Sequence, residues 1–230
     1  MTLTSILLKI RDKYIERKLK GLNDKKRFSL IYKSGYWRGF RGSISGDGSS
    51  FSSTRNIRES LQSFIKEYNI LSFADIPCGD FYWMSKMDLS SVSYLGGDIV
   101  EEMIQKNNSK FSKDNVRFQH IDLIDDVLPT VDCIFIRDCL VHLEDYQVKK
   151  VIKNIIKSKS KYLATTIYPN VEKNIQSKEV DRWRPLNLTI KPFSLPAPTL
   201  LLDDRVIDDE VQQYRYIGVW EIKDLFNLNN

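Results

Sequence analysis

The chain has 230 residues, 42% hydrophobic and 11% aromatic, enough for one ample core and too little for a second full domain. No apolar run approaches the ~18 residues of a bilayer span, and Ile6-Leu7-Leu8-Lys9-Ile10-Arg11 is too short and too soon charged for a signal peptide. The net charge of +5 is uneven: residues 1–42 hold 12 Lys and Arg against 3 Asp and Glu, so the remainder is mildly acidic.

The basic arm comes first. Leu3, Ile6, Leu7, Ile10, Tyr14, Ile15 and Leu19 recur at helical spacing as one apolar stripe, suited to packing on the domain or on a second subunit in a homodimer. Its charge reads as a solvated helix face, though such an arm could also meet an anionic membrane surface, nucleic acid or a phosphorylated substrate. Residues 35–54 are rich in Gly and Ser and read as a loop, flexible by composition. Tyr36, Trp37 and Phe40 are costly to leave in water, so a loop folding over a bound ligand, with Trp37 against substrate, accounts for aromatics and glycines together.

A helix is expected from Thr54, its N-cap, with Ile57, Leu61, Phe64 and Ile65 on one face. Strands are then expected at 70–75, 93–98, 116–121, 131–137 and 162–167. Helices are expected near 83–87, at 101–111 and at 143–157. This alternation predicts a parallel sheet covered on both faces. Five of the seven prolines fall between 169 and 198, an extended, stiff stretch. Two closing strands, 199–202 and 214–222, suit an antiparallel pair at the sheet edge. Cys78, Cys133 and Cys139 lie in or beside predicted strands without metal-like spacing, as reduced thiols of a cytoplasmic protein would.

The segment from Phe73 to Met84 carries the most information. An apolar run ends in Asp75, a tight Pro77-Cys78-Gly79 turn follows, and then a helix-like stretch. That is how a parallel strand ends in a small-residue loop over a nucleoside cofactor. About 23 residues after Asp75 a second run ends in Asp98, suited to a ribose diol because a carboxylate can accept both hydroxyl hydrogens. The loops after the strands gather Asp75, Gly79, Asp98, Asp122, Arg137, Asp138 and His142 on one crevice.

This constellation resembles the class I S-adenosylmethionine-dependent methyltransferases over residues 70–167, with 198–222 similar to their closing hairpin. The strings DIPCGDFYWM, GGDIV, RDCLVHL and WRPLNL, with Ser45-Gly46-Asp47-Gly48-Ser49-Ser50, more narrowly resemble a bacterial methyltransferase family associated with surface-polysaccharide genes. Asp80-Phe81 stands where the third small residue of the cofactor loop is usual. The resemblance implies an α/β fold: a Rossmann-like, seven-stranded, mostly parallel sheet with helices on both faces and a C-terminal antiparallel hairpin. Residues 1–53 would form the arm and cap loop, and 54–230 the methyltransferase domain.

The resemblance also implies roles. Asp75 and Gly79 would lie against the methionine part of S-adenosylmethionine, with Asp75 near its ammonium, directly or through water, and Cys78 and Trp83 would also bind the cofactor. Asp98 would take the ribose, Ile99 would pack on adenine, Asp122 would accept from the adenine amine with Leu123 beside it, and the Arg137 carbonyl would face the methionine amine. These donors suit carboxylates. A 2′-phosphate would be repelled by Asp98, and no G-x-G-x-x-G run follows the first strand, so NADP and NAD fit less well.

A hydroxyl acceptor would benefit from a general base. His142, just past the fourth strand, titrates near neutrality; Asp138 and Tyr168 are rivals, and His120 inside the third strand reads as structural. Arg182, Trp183, Arg184 and Asn187 suit an anionic sugar or phosphate, or pin a long loop to the sheet. The expected reaction is O-methylation of a sugar, nucleotide-sugar or phosphorylated intermediate of a surface glycan. Competing readings are a nucleic-acid-binding protein led by the arm and a cofactor-binding pseudo-enzyme. No nucleic-acid partner is expected, because the arm's aromatics cluster with glycines instead of interleaving with lysines.

Overall fold

The computed structural model describes residues 3–37, 42–178 and 181–229, with side chains described between 10 and 226. Phe40 lies outside the described residues, as do the side chains of Leu3, Ile6 and Leu7. Strands β1 (Ser72–Asp75), β2 (Ser93–Asp98), β3 (Val116–His120), β4 (Cys133–Ile136) and β5 (Tyr162–Ile167) pair in parallel. β7 (Tyr216–Glu221) runs antiparallel between β5 and the edge strand β6 (Leu200–Asp203). The order is β3-β2-β1-β4-β5-β7-β6, so the winding reverses between β1 and β4, where a crevice opens at the strand ends. This is the parallel sheet with an edge antiparallel pair that the runs predict, and the seven-stranded Rossmann-like order that the resemblance implies.

The period of two decides the layers. In β4, Cys133 and Phe135 face one core with helices α3 (Arg55–Glu67) and α4 (Glu101–Phe111), while Ile134 and Ile136 face the other with helix α5 (Asp145–Ser158). Ile57, Leu61, Phe64 and Ile65 of α3 are all buried, the face expected from their spacing. Truncating any of them to alanine would cost about 2–5 kcal/mol.

Several ends differ from expectation. Thr54 stands at the N-cap of α3 as expected, but its side chain makes no capping bond; its hydroxyl donates to the Ser50 carbonyl at 2.9 Å. Only a single 3₁₀ turn, Met84–Lys86, follows the cofactor-type loop. α5 starts at Asp145 because Leu140–His142 forms its own 3₁₀ turn and Glu144 with Gln147 makes a capping box.

The arm forms two helices, α1 (Leu3–Leu19) and α2 (Asp24–Ser34). Asn23 caps α2 and Gly35, at φ +61°, ends it. Of the described stripe, Ile15 and Leu19 are buried with Ile31, whereas Ile10 and Tyr14 remain exposed. Among the described residues no helix is long and apolar enough to cross a membrane.

Candidate active site

Asp75 and Asp98 are the last residues of β1 and β2, so the sheet itself sets their spacing. Beyond β1 the chain stays tied to its neighbours: Ile76 N–H donates to the Phe135 carbonyl at 2.9 Å, and Cys78 N–H to the Gly97 carbonyl at 2.8 Å. The loop lies this close because β2 carries glycine beneath it. A Cβ at Gly96 would stand 2.6 Å from the Phe118 ring and 3.1 Å from Cys78 Cβ. Gly79 turns at φ +54°, and a Cβ there would meet Ser45 Oγ at 2.6 Å. Its N–H donates to Asp98 Oδ2 at 3.2 Å.

The unusual Asp80-Phe81 pair has a structural explanation. The Asp80 carboxylate accepts from Ser43 Oγ, Ile44 N–H and Tyr82 N–H, and Asp80 N–H donates to Ser45 Oγ at 3.0 Å. Phe81 turns at φ +56° into the core against Tyr94, Phe111 and Phe118. The Gly/Ser run over 42–54 is therefore not a free loop: Asp80 pins one end, and Arg137 Nη2 donates to the Gly48 carbonyl at 3.0 Å.

One cavity, open at its mouth, occupies the crevice. All nine residues expected at the cofactor line it: Asp75, Cys78, Gly79, Trp83, Asp98, Ile99, Asp122, Leu123 and Arg137. Trp37, Asp138 and His142 line it too. The structure adds Ile44, Ser45 and Ser49 from the pinned loop, and Asp24, Phe28, Ile31 and Tyr32 from α2. The arm thus supplies one wall of the site, held there by Tyr32 with Lys106, Asp24 with Arg182, and Asp24 with Gln147.

Two carboxyls dominate the electrostatics. Asp75 and Asp98 are 3% and 4% exposed. Burial pushes the Asp75 carboxyl up to about 7, against the Tyr94 hydroxyl that donates to its Oδ2 at 2.7 Å and despite Arg137; nearby Asp98 adds to the rise. Burial pushes Asp98 up to about 6, against the N–H groups of Val100, at 2.9 Å, and Gly79. Among the described residues neither forms an ion pair. Asp122 folds back on its own loop, where its Oδ1 accepts from Ile124 N–H at 2.8 Å.

Arg137 acts through its guanidinium. It forks onto Asp204 at 2.9 and 3.0 Å, and Arg215 reaches both Asp204 and, at 3.0 Å, Asp138. These four residues, three of them buried and Asp138 half-buried, form a square of charges joining β4 to the β6–β7 hairpin. Burial alone would raise the Asp138 carboxyl, but Arg215 and Arg137 outweigh it and hold it below the usual range. That makes Asp138 a poor proton acceptor, contrary to its candidacy as a base. Tyr168 is fully buried, does not line the cavity, and has its hydroxyl pushed up chiefly by burial, so it too is ill placed.

His142 is better placed. Its Nδ1 lies 2.8 Å from the Asp181 carbonyl, which can only accept, so Nδ1 carries the hydrogen and Nε2 keeps its lone pair. Burial lowers its pKa, against the Asp181 carbonyl and Asp138, which favours the neutral ring. The Trp37 ring sits 4.8 Å from the imidazole, with Phe28 6.0 Å beyond Trp37.

The expected acceptor-binding cluster is elsewhere. Arg182, Trp183, Arg184 and Asn187 are absent from the cavity wall. Arg184 is buried on Asp145 and the Leu143 carbonyl, and Arg182 pairs with Asp24 and Glu144. Asn187 donates to the carbonyls of Pro169 and Val171, and Trp183 packs on Tyr168. The motif staples the proline-rich stretch to the sheet.

No protein-family model and no curated protein matches the sequence. Solved structures do match in fold. Human N-acetylserotonin methyltransferase, in complex with SAM, is 12% identical over 95% of this chain and 67% of its own, with a TM-score of 0.59. A Burkholderia thailandensis 1,6-didemethyltoxoflavin-N1-methyltransferase, with its substrate and S-adenosylhomocysteine, is 10% identical over 87% and 91%, at 0.59. Magnesium protoporphyrin IX methyltransferase from Synechocystis PCC 6803, with bound SAM, is 18% identical over 87% and 97%, at 0.53. The likeness is one of fold.

Proposed function

We propose that the protein is a methyltransferase that binds S-adenosylmethionine in this cavity and methylates a hydroxyl. The observation that carries the reading is the pair of buried carboxylates, Asp75 and Asp98, held without an ion pair among the described residues at adjacent strand ends around the Gly79 turn. Buried charges are normally paired, so a site that leaves two of them open fits a ligand bearing a cation and several donors. Bound there, the cofactor supplies a methyl group on a sulfonium, already a good leaving group.

The protein's own part is alignment and proton handling. Asp75 holds an ammonium, Asp98 a ribose diol, and Ile99, Leu123 and Ile124 offer apolar faces for adenine. His142 accepts the hydroxyl proton at Nε2 while Asp181 steadies Nδ1–H. The acceptor lies against Trp37, Phe28 and His142, whose rings suit the flat face of a sugar. A glycan acceptor agrees with the sequence resemblance. Asp24, Asp75, Asp80, Asp98, Asp122 and Asp138 line the cavity, and among its described residues only Arg137, itself paired with Asp204, is a fixed cation. The moiety that enters is therefore taken to be uncharged, and any phosphate on the acceptor stays outside. Incubation with methyl-labelled cofactor and cell-extract sugar fractions tests this: label should enter an acceptor, and His142→Gln should cut the rate about 100-fold at unchanged cofactor affinity. Cofactor binding without any transfer would point to the pseudo-enzyme.

A further inference from the structure

We infer that Tyr94 is a positioning residue for cofactor capture: its hydroxyl fixes the Asp75 carboxylate through Oδ2, leaving Oδ1 as the oxygen for the ligand's ammonium. The inference rests on the cofactor reading above. Tyr94 lies on β2, does not line the cavity, and is 1% exposed. Its ring is clamped by Phe73, Phe81 and Phe118, with centroids 6.2, 5.1 and 6.0 Å away. A fourth phenylalanine would serve that packing, and a buried hydroxyl costs stability unless it is hydrogen-bonded. The bond this hydroxyl makes is the 2.7 Å donation to Asp75 Oδ2.

Asp75 needs such a donor. The groups facing it are Asp98 from the end of β2, which opposes its ionisation, Arg137 after β4, committed to Asp204, and the Cys78 and Cys133 thiols, which burial keeps protonated. Tyr94 is the closest hydrogen-bond donor offsetting burial, and the direction of its effect on Asp75 agrees with the geometry. By fixing Oδ2, the phenol also selects one carboxylate rotamer.

Calorimetry with two probes separates this role from simple packing. S-adenosylhomocysteine carries the amino-acid tail; 5′-methylthioadenosine lacks it. At pH 6.5, Tyr94→Phe should weaken S-adenosylhomocysteine about 10-fold, the effect of raising one carboxyl by about a unit, while 5′-methylthioadenosine changes less than about twofold. The gap should narrow toward pH 8.5. In an Asp75→Asn background, Tyr94→Phe should change S-adenosylhomocysteine affinity less than about twofold, because the partner is gone. Equal loss for both probes, no loss, or a loss that persists beside Asp75→Asn would overturn the inference. If the wild type binds neither probe, the cofactor reading falls and takes this inference with it.

Discussion

Two sets of buried charges sit at the same end of the sheet and are treated in opposite ways. Arg137, Arg215, Asp138 and Asp204 form a neutral square in which every member has an opposite charge within 3.5 Å. Asp75 and Asp98, buried like Asp204, have hydrogen-bond donors but, among the described residues, no cation at ion-pair distance. The square ties β4, the closing hairpin and the Gly48 loop together, so it builds the wall of the cavity. The open pair is costly to the empty protein, and a ligand offsets that cost. Where charges are buried, their pairing separates scaffold from site.

The contrast is sharpest when each set is broken in turn. Asp204→Ala strands two guanidiniums in the core and should cost about 3–5 kcal/mol in urea unfolding. Acidification should hit the open pair next. Both carboxyls have raised values, about 7 and about 6, and the ionised forms are the ones that suit an ammonium at Asp75 and both hydroxyl hydrogens of a diol at Asp98. Cofactor affinity is therefore present above pH 7 and lost as pH falls through those values, by roughly 10- to 100-fold between pH 7.5 and 5.5 in calorimetric titrations. Asp98→Ala should weaken cofactor binding about 10-fold or more, with a smaller loss of unfolding free energy than Asp204→Ala causes. Last, Arg182→Ala removes partly exposed pairs with Asp24 and Glu144. It should cost less than about 1 kcal/mol and leave cofactor affinity within about twofold, whereas a large loss of affinity would return the WRPLNL segment to the site.

Much of the cavity is legible in the sequence because its acids end apolar runs. The run before Asp75, the run before Asp98 and the Gly79 turn are local patterns, and the sheet converts that spacing into proximity. The square is not legible: Asp204 and Arg215 sit far along the chain from Arg137, and long-range ion pairs leave no periodicity. α2 is missed for a related reason, since Asp24, Phe28 and Tyr32 belong to a helix whose charge reads as a solvated face. The WRPLNL segment misleads because arginine and tryptophan serve a staple as well as a binding site. Asp80-Phe81 departs from the expected loop chemistry because one member anchors the Ser43–Ser45 backbone and the other fills the core.

The most direct measurement is isothermal titration of the protein with S-adenosylmethionine at pH 6.5 in two buffers of different ionisation enthalpy. Carboxyls at about 7 and about 6 in the free protein, both ionised in the complex, predict micromolar binding with release of about one proton. Binding without proton release, with proton uptake, or no binding at all would contradict the account.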